Sequence, residues 1–214
     1  MRAIIFANGR LEYPRSAIEI IKTDDLLIAA DGGARHCRKI GIRPMMIIGD
    51  LDSLRHDEVC AFENEGVQII RYSARKNNTD LDLAFRVAKE RGVREIIVFG
   101  GVGDRWDMTL SNLFLSTDVE FEDMDIRFID GPQEACLVRG GEEKTLHGSM
   151  GDRFSILPIG DEATGITLQG LEYPLDGATL HIGSSKGISN VFIGDEAYIK
   201  LGDGLVMCVV NRKI

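Results

Sequence analysis

The sequence has few cysteines and no long apolar run, and each shortage excludes a class of protein. Its four cysteines form no CxxC pair, and no histidine stands at zinc-ligand spacing from them. We therefore expect reduced thiols rather than a disulfide framework or a zinc site. The N-terminal apolar run, residues 3–7, is far shorter than the roughly 18 residues of a membrane span, and no small-residue cleavage site follows it. A cytoplasmic location is expected.

Positive charge is also in short supply. Lysine and arginine total 25 against 34 aspartates and glutamates, which gives a formal net charge of −9. A field of this sign does not attract nucleic acid or an anionic membrane, so neither is expected as a partner. A polyanionic ligand would have to be held by local basic residues or by a metal ion.

The remaining composition is that of an ordinary soluble globular protein. Apolar residues make up 44% of the chain and charged residues 28%. The 214 residues suffice for one large domain or two small ones with a sizeable core.

Short apolar runs alternate with amphipathic stretches over the first 130 residues. The runs are rich in β-branched residues and mostly apolar on both faces, which is typical of buried parallel strands. The predicted strands are 3–8, 26–30, 45–49, 67–71, 95–100 and 126–129. The predicted helices between them are 16–22, 34–40, 55–65, 79–91 and 109–115, with Thr79 and Asp80 suited to cap the fourth. The alternation predicts a doubly wound, mainly parallel α/β domain over residues 1–130.

The pattern changes after about residue 131. Glycines and turn signals become frequent, no convincing helix remains, and short strand-like runs recur, among them 153–157, 165–168, 178–182, 197–201 and 205–211. This texture predicts an antiparallel β-sandwich domain over residues 131–214.

Ligands of open α/β sheets bind outside the carboxyl ends of the strands, so the residues that follow each predicted strand are candidate site residues. Asp50 and Asp52 follow the third strand two residues apart, and in an extended segment they point the same way. Asp80, at a helix start, could approach them. Carboxylates about 4 Å apart repel each other by roughly 1 kcal/mol in water and about 4 kcal/mol at an effective dielectric of 20. Such a cluster requires a cation, and oxygen ligands favour Mg²⁺ or Mn²⁺. The alternative is that these aspartates are only turn and cap residues.

Two further segments offer phosphate-binding groups. Asp31-Gly32-Gly33 before a helix presents backbone N–H groups to an anion, although paired glycines at such a turn can be purely steric. Arg105 could hold a phosphate bidentately, or it could be a solvated loop arginine. Neither a complete GxGxxG nor a P-loop is present.

Six segments in register resemble one family over almost the whole chain. They are ADGGA at 30–34, GDLDS at 49–53, KNNTD at 76–80, GDRWD at 103–107, GLEYPL at 170–175 and GISN at 187–190. Together they resemble thiamine pyrophosphokinase. The resemblance implies transfer of a pyrophosphoryl group from ATP to the thiamine hydroxyl, which gives thiamine diphosphate and AMP, with Mg²⁺ as cofactor. It also implies a homodimer whose active sites combine the α/β domain of one chain with the β-domain of the other.

The resemblance assigns roles to individual residues. The metal ligands and catalytic acids are Asp50, Asp52 and Asp80, joined in catalysis by Arg105 and Asp107. The nucleotide contacts are Asp31, Gly32, Gly33, Lys76, Thr79 and Arg105, and the thiamine contacts are Ser189 and Asn190. Asp107 or a metal-bound carboxylate could accept the hydroxyl proton.

The sequence departs from the family pattern at two positions. Met108 stands where histidine is usual, and Asn77 stands where bacterial members often have aspartate. These departures leave open a related pyrophosphokinase acting on another hydroxymethyl heterocycle such as a pterin, or a non-catalytic thiamine or nucleotide sensor. A phosphatase of the DxD-nucleophile type is disfavoured because its later GDxxxD motif is one residue short here.

Overall fold

A computed structural model describes residues 1–75, 77–103 and 105–213. The chain divides into two compact units, Met1–Gly131 and Pro132–Ile214. Among the described residues, no helix has the length and apolar character needed to cross a membrane. All four cysteines are free, as expected.

The first unit is a six-stranded parallel sheet with helices in its connections. Its strands are β1 (Arg2–Phe6), β2 (Leu26–Ala30), β3 (Met46–Gly49), β4 (Gln68–Arg71), β5 (Glu95–Phe99) and β6 (Asp125–Asp130). Its helices are α1 (Pro14–Ile20), α2 (Ala34–Lys39), α3 (His56–Asn64), α4 (Asp80–Glu90) and α5 (Trp106–Leu115). This confirms the predicted α/β class, and no strand or helix boundary differs from its predicted position by more than three residues.

The strand order is β4-β3-β2-β1-β5-β6, and every neighbouring pair is parallel. The chain builds outward from β1 through β2, β3 and β4, and then returns to add β5 and β6 on the other side of β1. The reversal therefore falls between β1 and β5. In doubly wound sheets the crevice outside the carboxyl ends of the strands at this reversal is where ligands bind.

The central strands are buried on both faces, as the apolar runs predicted. Ile5 of β1 lies between Ile28 of β2 and Val98 of β5, and all three side chains are fully buried. Helix α4 covers the sheet with its apolar face, and the Thr79 hydroxyl caps it by accepting a hydrogen bond from the Asp82 N–H at 3.2 Å. The predicted cap is therefore confirmed.

The second unit is built only from strands, and none of the helices that the structure describes lies in it. The strands are β7 (Gln133–Arg139), β8 (Glu143–His147), β9 (Arg153–Gln169), β10 (Leu175–His181), β11 (Asn190–Val191), β12 (Glu196–Lys200) and β13 (Asp203–Asn211). Two runs predicted as separate strands, 153–157 and 165–168, are parts of the single strand β9, so that part of the prediction was wrong.

Strand β9 is long because two sheets share it. Its first half pairs with β13, which in turn pairs with β7, and its second half pairs with β10 and β12. Gly160, at φ +98°, lies between the two halves and allows the strand to change direction. The sheets enclose an apolar core in which the rings of Phe154 and Phe192 meet edge to face at 6.1 Å.

A nearly buried ion pair fastens the start of the parallel sheet. Arg2 at the head of β1 donates from Nε and Nη2 to the two carboxylate oxygens of Asp25, at 2.8 and 2.6 Å, and the Asp25 side chain is only 1% exposed. Burial acts to raise the pKa of Asp25, but the bonds from Arg2 and from the Lys22 N–H outweigh it and lower the pKa. The charged form of Asp25 therefore stabilises the fold.

Replacing Asp25 by asparagine should destabilise the first unit by about 3 kcal/mol, because it leaves the Arg2 charge without its main partner. Urea unfolding followed by circular dichroism measures the change. The matched control is Glu65→Gln, which removes the exposed 3.5 Å pair with Arg38 and should change stability by less than about 1 kcal/mol. Because the folded pKa of Asp25 is lowered, the stabilisation is present above its unfolded pKa of about 3.9 and is lost as pH falls through the folded pKa. Equal losses from both variants at pH 7 would contradict this role for the pair.

Candidate active site

A cavity of about 390 Å³ opens at the carboxyl edge of the parallel sheet. Its wall includes the ends of β1, β2 and β5, the loop after β3, and the first turns of α4 and α5. It therefore lies at the reversal of strand order. The lining segments are 7–9, 30–31, 52–53, 79–81 and 100–103, with Arg105, Met108, Thr109 and Asn112.

Three carboxylates converge at this edge. Asp31, Asp50 and Asp52 each place one oxygen so that all three oxygens lie within 4.8 Å of one another. Asp31 follows β2, and the other two follow the adjacent strand β3. Asp31 is 3% exposed, and its buried Oδ1 has no hydrogen-bond partner among the described residues. An ionised oxygen in this position is unfavourable unless a cation or another donor meets it.

Asp80 lies close to these carboxylates but outside the trio. A Cβ atom added to Gly49 would fall 2.9 Å from Asp80 Oδ1 and 3.2 Å from Asp31 Cβ. Both aspartates therefore pack around Gly49, which is also at φ +149°, and a side chain there would displace them. The sequence predicted a metal group of Asp50, Asp52 and Asp80, with Asp31 at the nucleotide. In the structure the convergent carboxylates are Asp31, Asp50 and Asp52.

The prediction that Asp50 and Asp52 point the same way because they share an extended segment was wrong. The strand ends at Gly49, so the two residues do not share an extended segment. Leu51 between them is at φ +64°, a left-handed conformation that is strained for leucine, and the Asp52 N–H donates to Asp50 Oδ1 at 3.3 Å. A tight turn, held in part by the burial of Leu51, brings the carboxylates together.

The two glycines after Asp31 have a steric function. A Cβ on Gly33 would lie 1.9 Å from the Phe6 carbonyl oxygen, and one on Gly32 would lie 2.1 Å from Asn8 Oδ1. Both residues are buried against the end of β1. Steric demand thus accounts for the glycines without a ligand, and their contact with a nucleotide stays a prediction.

Helix α5 holds the glycine-rich loop after β5. Asn112 Nδ2 donates to the Gly101 carbonyl at 2.7 Å, and the Thr109 hydroxyl bonds both to the carbonyl and to the N–H of Gly103, at 2.8 and 3.0 Å. These two side chains lie one turn apart on the helix and fix the cavity wall. The sequence interpretation missed them, although their i, i+3 spacing next to a glycine-rich segment is a usable signal.

Arg105 lines the cavity and pairs with Asp107, with Arg105 Nε 3.2 Å from Asp107 Oδ1. Both side chains are exposed. The pairing raises the pKa of Arg105 and lowers that of Asp107. Met108 also lines the cavity, and Trp106 is 83% exposed, which excludes a core role for the single tryptophan.

Thr79 lines the cavity besides capping α4. Lys76, predicted to contact the nucleotide, lies outside the described residues.

The predicted thiamine contacts lie in the second unit. Ser189 is exposed at φ +59°, with its N–H bonded to Ser155 Oγ at 3.0 Å. Asn190 is 4% exposed and its amide is occupied, because Nδ2 donates to the Tyr173 carbonyl at 2.7 Å and Oδ1 accepts from the N–H groups of Tyr173 and Val191. Asn190 therefore orders the loop that carries the exposed Tyr173.

Comparison with known proteins finds one family in both units. The model "Thiamin pyrophosphokinase, catalytic domain" matches residues 17–128, and "Thiamin pyrophosphokinase, vitamin B1 binding domain" matches residues 142–206. The chain is 29% identical over 184 residues to thiamine pyrophosphokinase of Bacillus subtilis, covering 86% of each chain. It is 24% identical over 234 residues to thiamine pyrophosphokinase 1 of Oryza sativa, covering 98% of this chain and 87% of the relative.

Solved structures agree with these matches. A crystal structure of Bacillus subtilis thiamine pyrophosphokinase superimposes with a TM-score of 0.88 at 26% identity over the full length of both chains. Yeast thiamin pyrophosphokinase gives a TM-score of 0.79 at 18% identity, covering 98% of this chain and 86% of that one, and shows the shared fold.

Gly33→Ala should destabilise the first unit by about 3 kcal/mol or more, because the new methyl group meets backbone that cannot move aside without shifting β1. Thermal and urea unfolding measure the effect. Gly194→Ala is the control, since no atom lies within 4 Å of its added Cβ, and it should change stability by no more than about 0.5 kcal/mol. A Gly33→Ala protein as stable as the control would show that the turn tolerates a side chain.

Proposed function

Because the chain belongs to the thiamine pyrophosphokinase family, it is an ATP-dependent thiamine diphosphokinase, and we propose that the cavity of its first unit binds ATP and Mg²⁺. The match of the vitamin B1 binding model to residues 142–206 disfavours a pterin as the acceptor. The observation that carries the proposal is the convergence of Asp31, Asp50 and Asp52 beside the cavity, which Asp31 and Asp52 line.

The donor set of this cluster fits Mg²⁺. Its ligands are all carboxylate oxygens, which hard divalent cations prefer, and the buried Asp31 Oδ1 lacks a partner among the described residues. Asp31, Asp50 and Asp52 are the proposed ligands, and Asp80, which packs with Asp31 around Gly49, remains a predicted one. Bound Mg²⁺ supplies charge neutralisation on the phosphate oxygens of ATP.

The nucleotide site is proposed at the same edge. Of the described residues that line the cavity, the acids Asp31, Asp52 and Asp80 are balanced only by Arg105. Arg105 can exchange its exposed partner Asp107 for a phosphate, because an exposed ion pair contributes little stability. Lys76, three positions before Thr79 in the sequence, remains a predicted second base. The backbone of the Gly32–Gly33 turn remains a predicted phosphate contact.

The reaction forms a bond from the thiamine hydroxyl oxygen to the β-phosphorus of ATP. The bond between that phosphorus and the oxygen bridging to the α-phosphate breaks, and AMP leaves with both electrons of that bond. Phosphoryl transfer of this kind depends mainly on positioning and charge stabilisation. Arg105 lines the cavity, and its proposed role is to neutralise charge on the leaving phosphate. The Thr109 and Asn112 bonds hold the adjacent loop.

The hydroxyl proton must leave as the new bond forms. Asp107 is a weak candidate to accept it, because the Arg105 pair lowers its pKa and so reduces its affinity for a proton. The carboxylates of the proposed metal group are the other candidates.

Thiamine binding is proposed for the second unit. Residues 1–130 would then bind nucleotide and metal, and residues 131–214 would bind thiamine through Ser189 and the loop ordered by Asn190. We propose a homodimer in which each active site joins the first unit of one chain to the second unit of its partner, and a cytoplasmic location.

Asp52→Asn should abolish nearly all AMP release while the protein still folds, because Asp52 is exposed and removal of one ligand charge weakens the metal site. The assay measures AMP formed from ATP in the presence of thiamine at saturating Mg²⁺. Asp57→Asn, an exposed aspartate on α3 outside the cavity, should keep full activity. Full turnover by Asp52→Asn would refute the metal assignment.

Shared sites predict complementation between two inactive variants. One chain carries Asp52→Asn and the other carries Asn190→Ala, after melting curves have shown that both fold. Random exchange makes about half of the dimers mixed, and in each of these one site collects both defects while the other has none, so roughly a quarter of all sites should work. An inactive mixture, with subunit exchange verified by mass, would show that each site belongs to one chain.

A further inference from the structure

The side chain of Asn8, in the loop after β1, forms hydrogen bonds to the two loops that carry the three carboxylates. Asn8 follows β1 by two residues, and its neighbours are fixed to β5 by bonds from the Ala7 N–H to the Phe99 carbonyl at 2.8 Å and from the Gly9 N–H to the Gly100 carbonyl at 2.9 Å. The side chain is thus held by the ends of β1 and β5, the two strands on either side of the strand-order reversal.

The amide of Asn8 reaches both of the loops that carry the three carboxylates. Its Nδ2 donates to Ser53 Oγ at 2.9 Å and lies 3.4 Å from Asp31 Oδ2. The Ser53 hydroxyl donates in turn to Asp52 Oδ1 at 3.3 Å. Donors and acceptors balance, since the two amide hydrogens point to one hydroxyl and one carboxylate, and the hydroxyl hydrogen points to the other carboxylate.

The absence of a side chain at Gly32 keeps Asn8 in this orientation. A Cβ on Gly32 would fall 2.1 Å from Asn8 Oδ1 and 2.8 Å from its Nδ2. The amide therefore lies against the turn that carries Asp31, and it cannot be held there beside any larger residue.

We propose that Asn8 is a positioning residue that holds Asp31 and Asp52 at metal-binding distance, through a direct hydrogen bond to Asp31 and through the Ser53 hydroxyl to Asp52. The inference rests on the proposed function, because it assumes that these carboxylates bind Mg²⁺. Asn8 acts before any cation arrives. Its donors offset part of the repulsion between the carboxylates and limit their rotation, so less reorganisation is needed when the cation binds. Hydrogen bonds that orient metal ligands commonly contribute about 10- to 100-fold to metal affinity.

The test is a titration of the full-length protein with Mn²⁺ alone, without nucleotide, in which electron paramagnetic resonance measures free Mn²⁺. Asn8→Ala should weaken Mn²⁺ binding by about 10-fold or more. Ser53→Ala, which removes only the link to Asp52, should weaken it less, and the double variant should lose less than the product of the two single losses. Asn64→Ala, an exposed asparagine at the end of α3, is the matched control and should bind as the wild type does.

Steady-state kinetics separate positioning from other roles of Asn8. Positioning predicts a higher Mg²⁺ concentration for half-maximal activity, with kcat at saturating Mg²⁺ within about 2-fold of wild type because the variant site, once loaded, has the same ligands. Direct contact with ATP would instead raise the KM for ATP and leave Mn²⁺ binding unchanged. A purely structural role would lower Tm and kcat without changing metal affinity. Either of these results overturns the proposal.

Asp52→Asn distinguishes failure of this inference from failure of the metal site. If Asp52→Asn loses Mn²⁺ binding and Asn8→Ala does not, the metal site stands and the role of Asn8 is wrong. If Asp52→Asn binds Mn²⁺ normally, or if the wild type binds none, the preformed metal site is wrong and the inference falls with it. Should Asn8→Ala fail to fold, unchanged Mn²⁺ binding by a folded Ser53→Ala protein would by itself contradict the proposed link to Asp52.

Discussion

The carboxylates of Asp31, Asp50 and Asp52 lie with one oxygen each inside 4.8 Å, and their mutual repulsion is the constraint that the edge of the parallel sheet has to withstand. The sheet withstands it through rigidity. Strands β2 and β3 are buried in an apolar core that fixes where each strand ends. The strained left-handed conformations of Asp31 and Leu51 persist because the surrounding core determines them.

Because the strands are rigidly held, the strand order determines which residues meet at the site more than any single motif does. Asp31 and Asp50 are nineteen positions apart in sequence, and they meet because β2 and β3 are adjacent and parallel. The reversal beside β1 then adds the loop after β5 to the same edge, together with the α5 side chains that hold it. Sheets of this class bind their ligands in a cavity at the strand-order reversal. The carboxylate cluster at this reversal indicates which kind of ligand, a divalent cation, the cavity suits.

Much of the first unit could be predicted from the sequence, because buried parallel strands and amphipathic helices have distinct apolar periods. The composition of the cluster could be predicted only in part. Asp50 and Asp52 stand out by their spacing, but nothing in the sequence shows that Asp31 is their neighbour or that Leu51 adopts a left-handed turn. Asn8 is an ordinary loop residue in sequence, and Ser53 is only the last residue of the GDLDS segment. The link between them is a hydrogen bond across 45 positions of sequence, which no local pattern shows.

The second unit was less predictable for a related reason. The middle of strand β9 contains charged residues and glycines, so the sequence predicts its two apolar ends as separate strands. Only the pairing of β9 with both sheets shows that the strand is continuous. Asn190 has the residue type expected of a ligand contact, yet its amide is satisfied by backbone groups. A motif residue can therefore serve a site by shaping the loop beside it.

The charge of the cavity bears on how a triphosphate could enter it. The protein carries a net charge of −9, and the described residues lining the cavity include three aspartates against the single guanidinium of Arg105. A triphosphate without its cation would add like charge to a site that already repels it, whereas a cation shared between the carboxylates and the phosphates relieves both repulsions at once. Binding of metal and binding of nucleotide must then favour each other to the same extent, since coupling between two ligands is reciprocal. If the cavity binds ATP and Mg²⁺ as proposed, it would select the metal-bound nucleotide, and the positions of Asp31, Asp50 and Asp52 would affect nucleotide affinity even where they touch no phosphate.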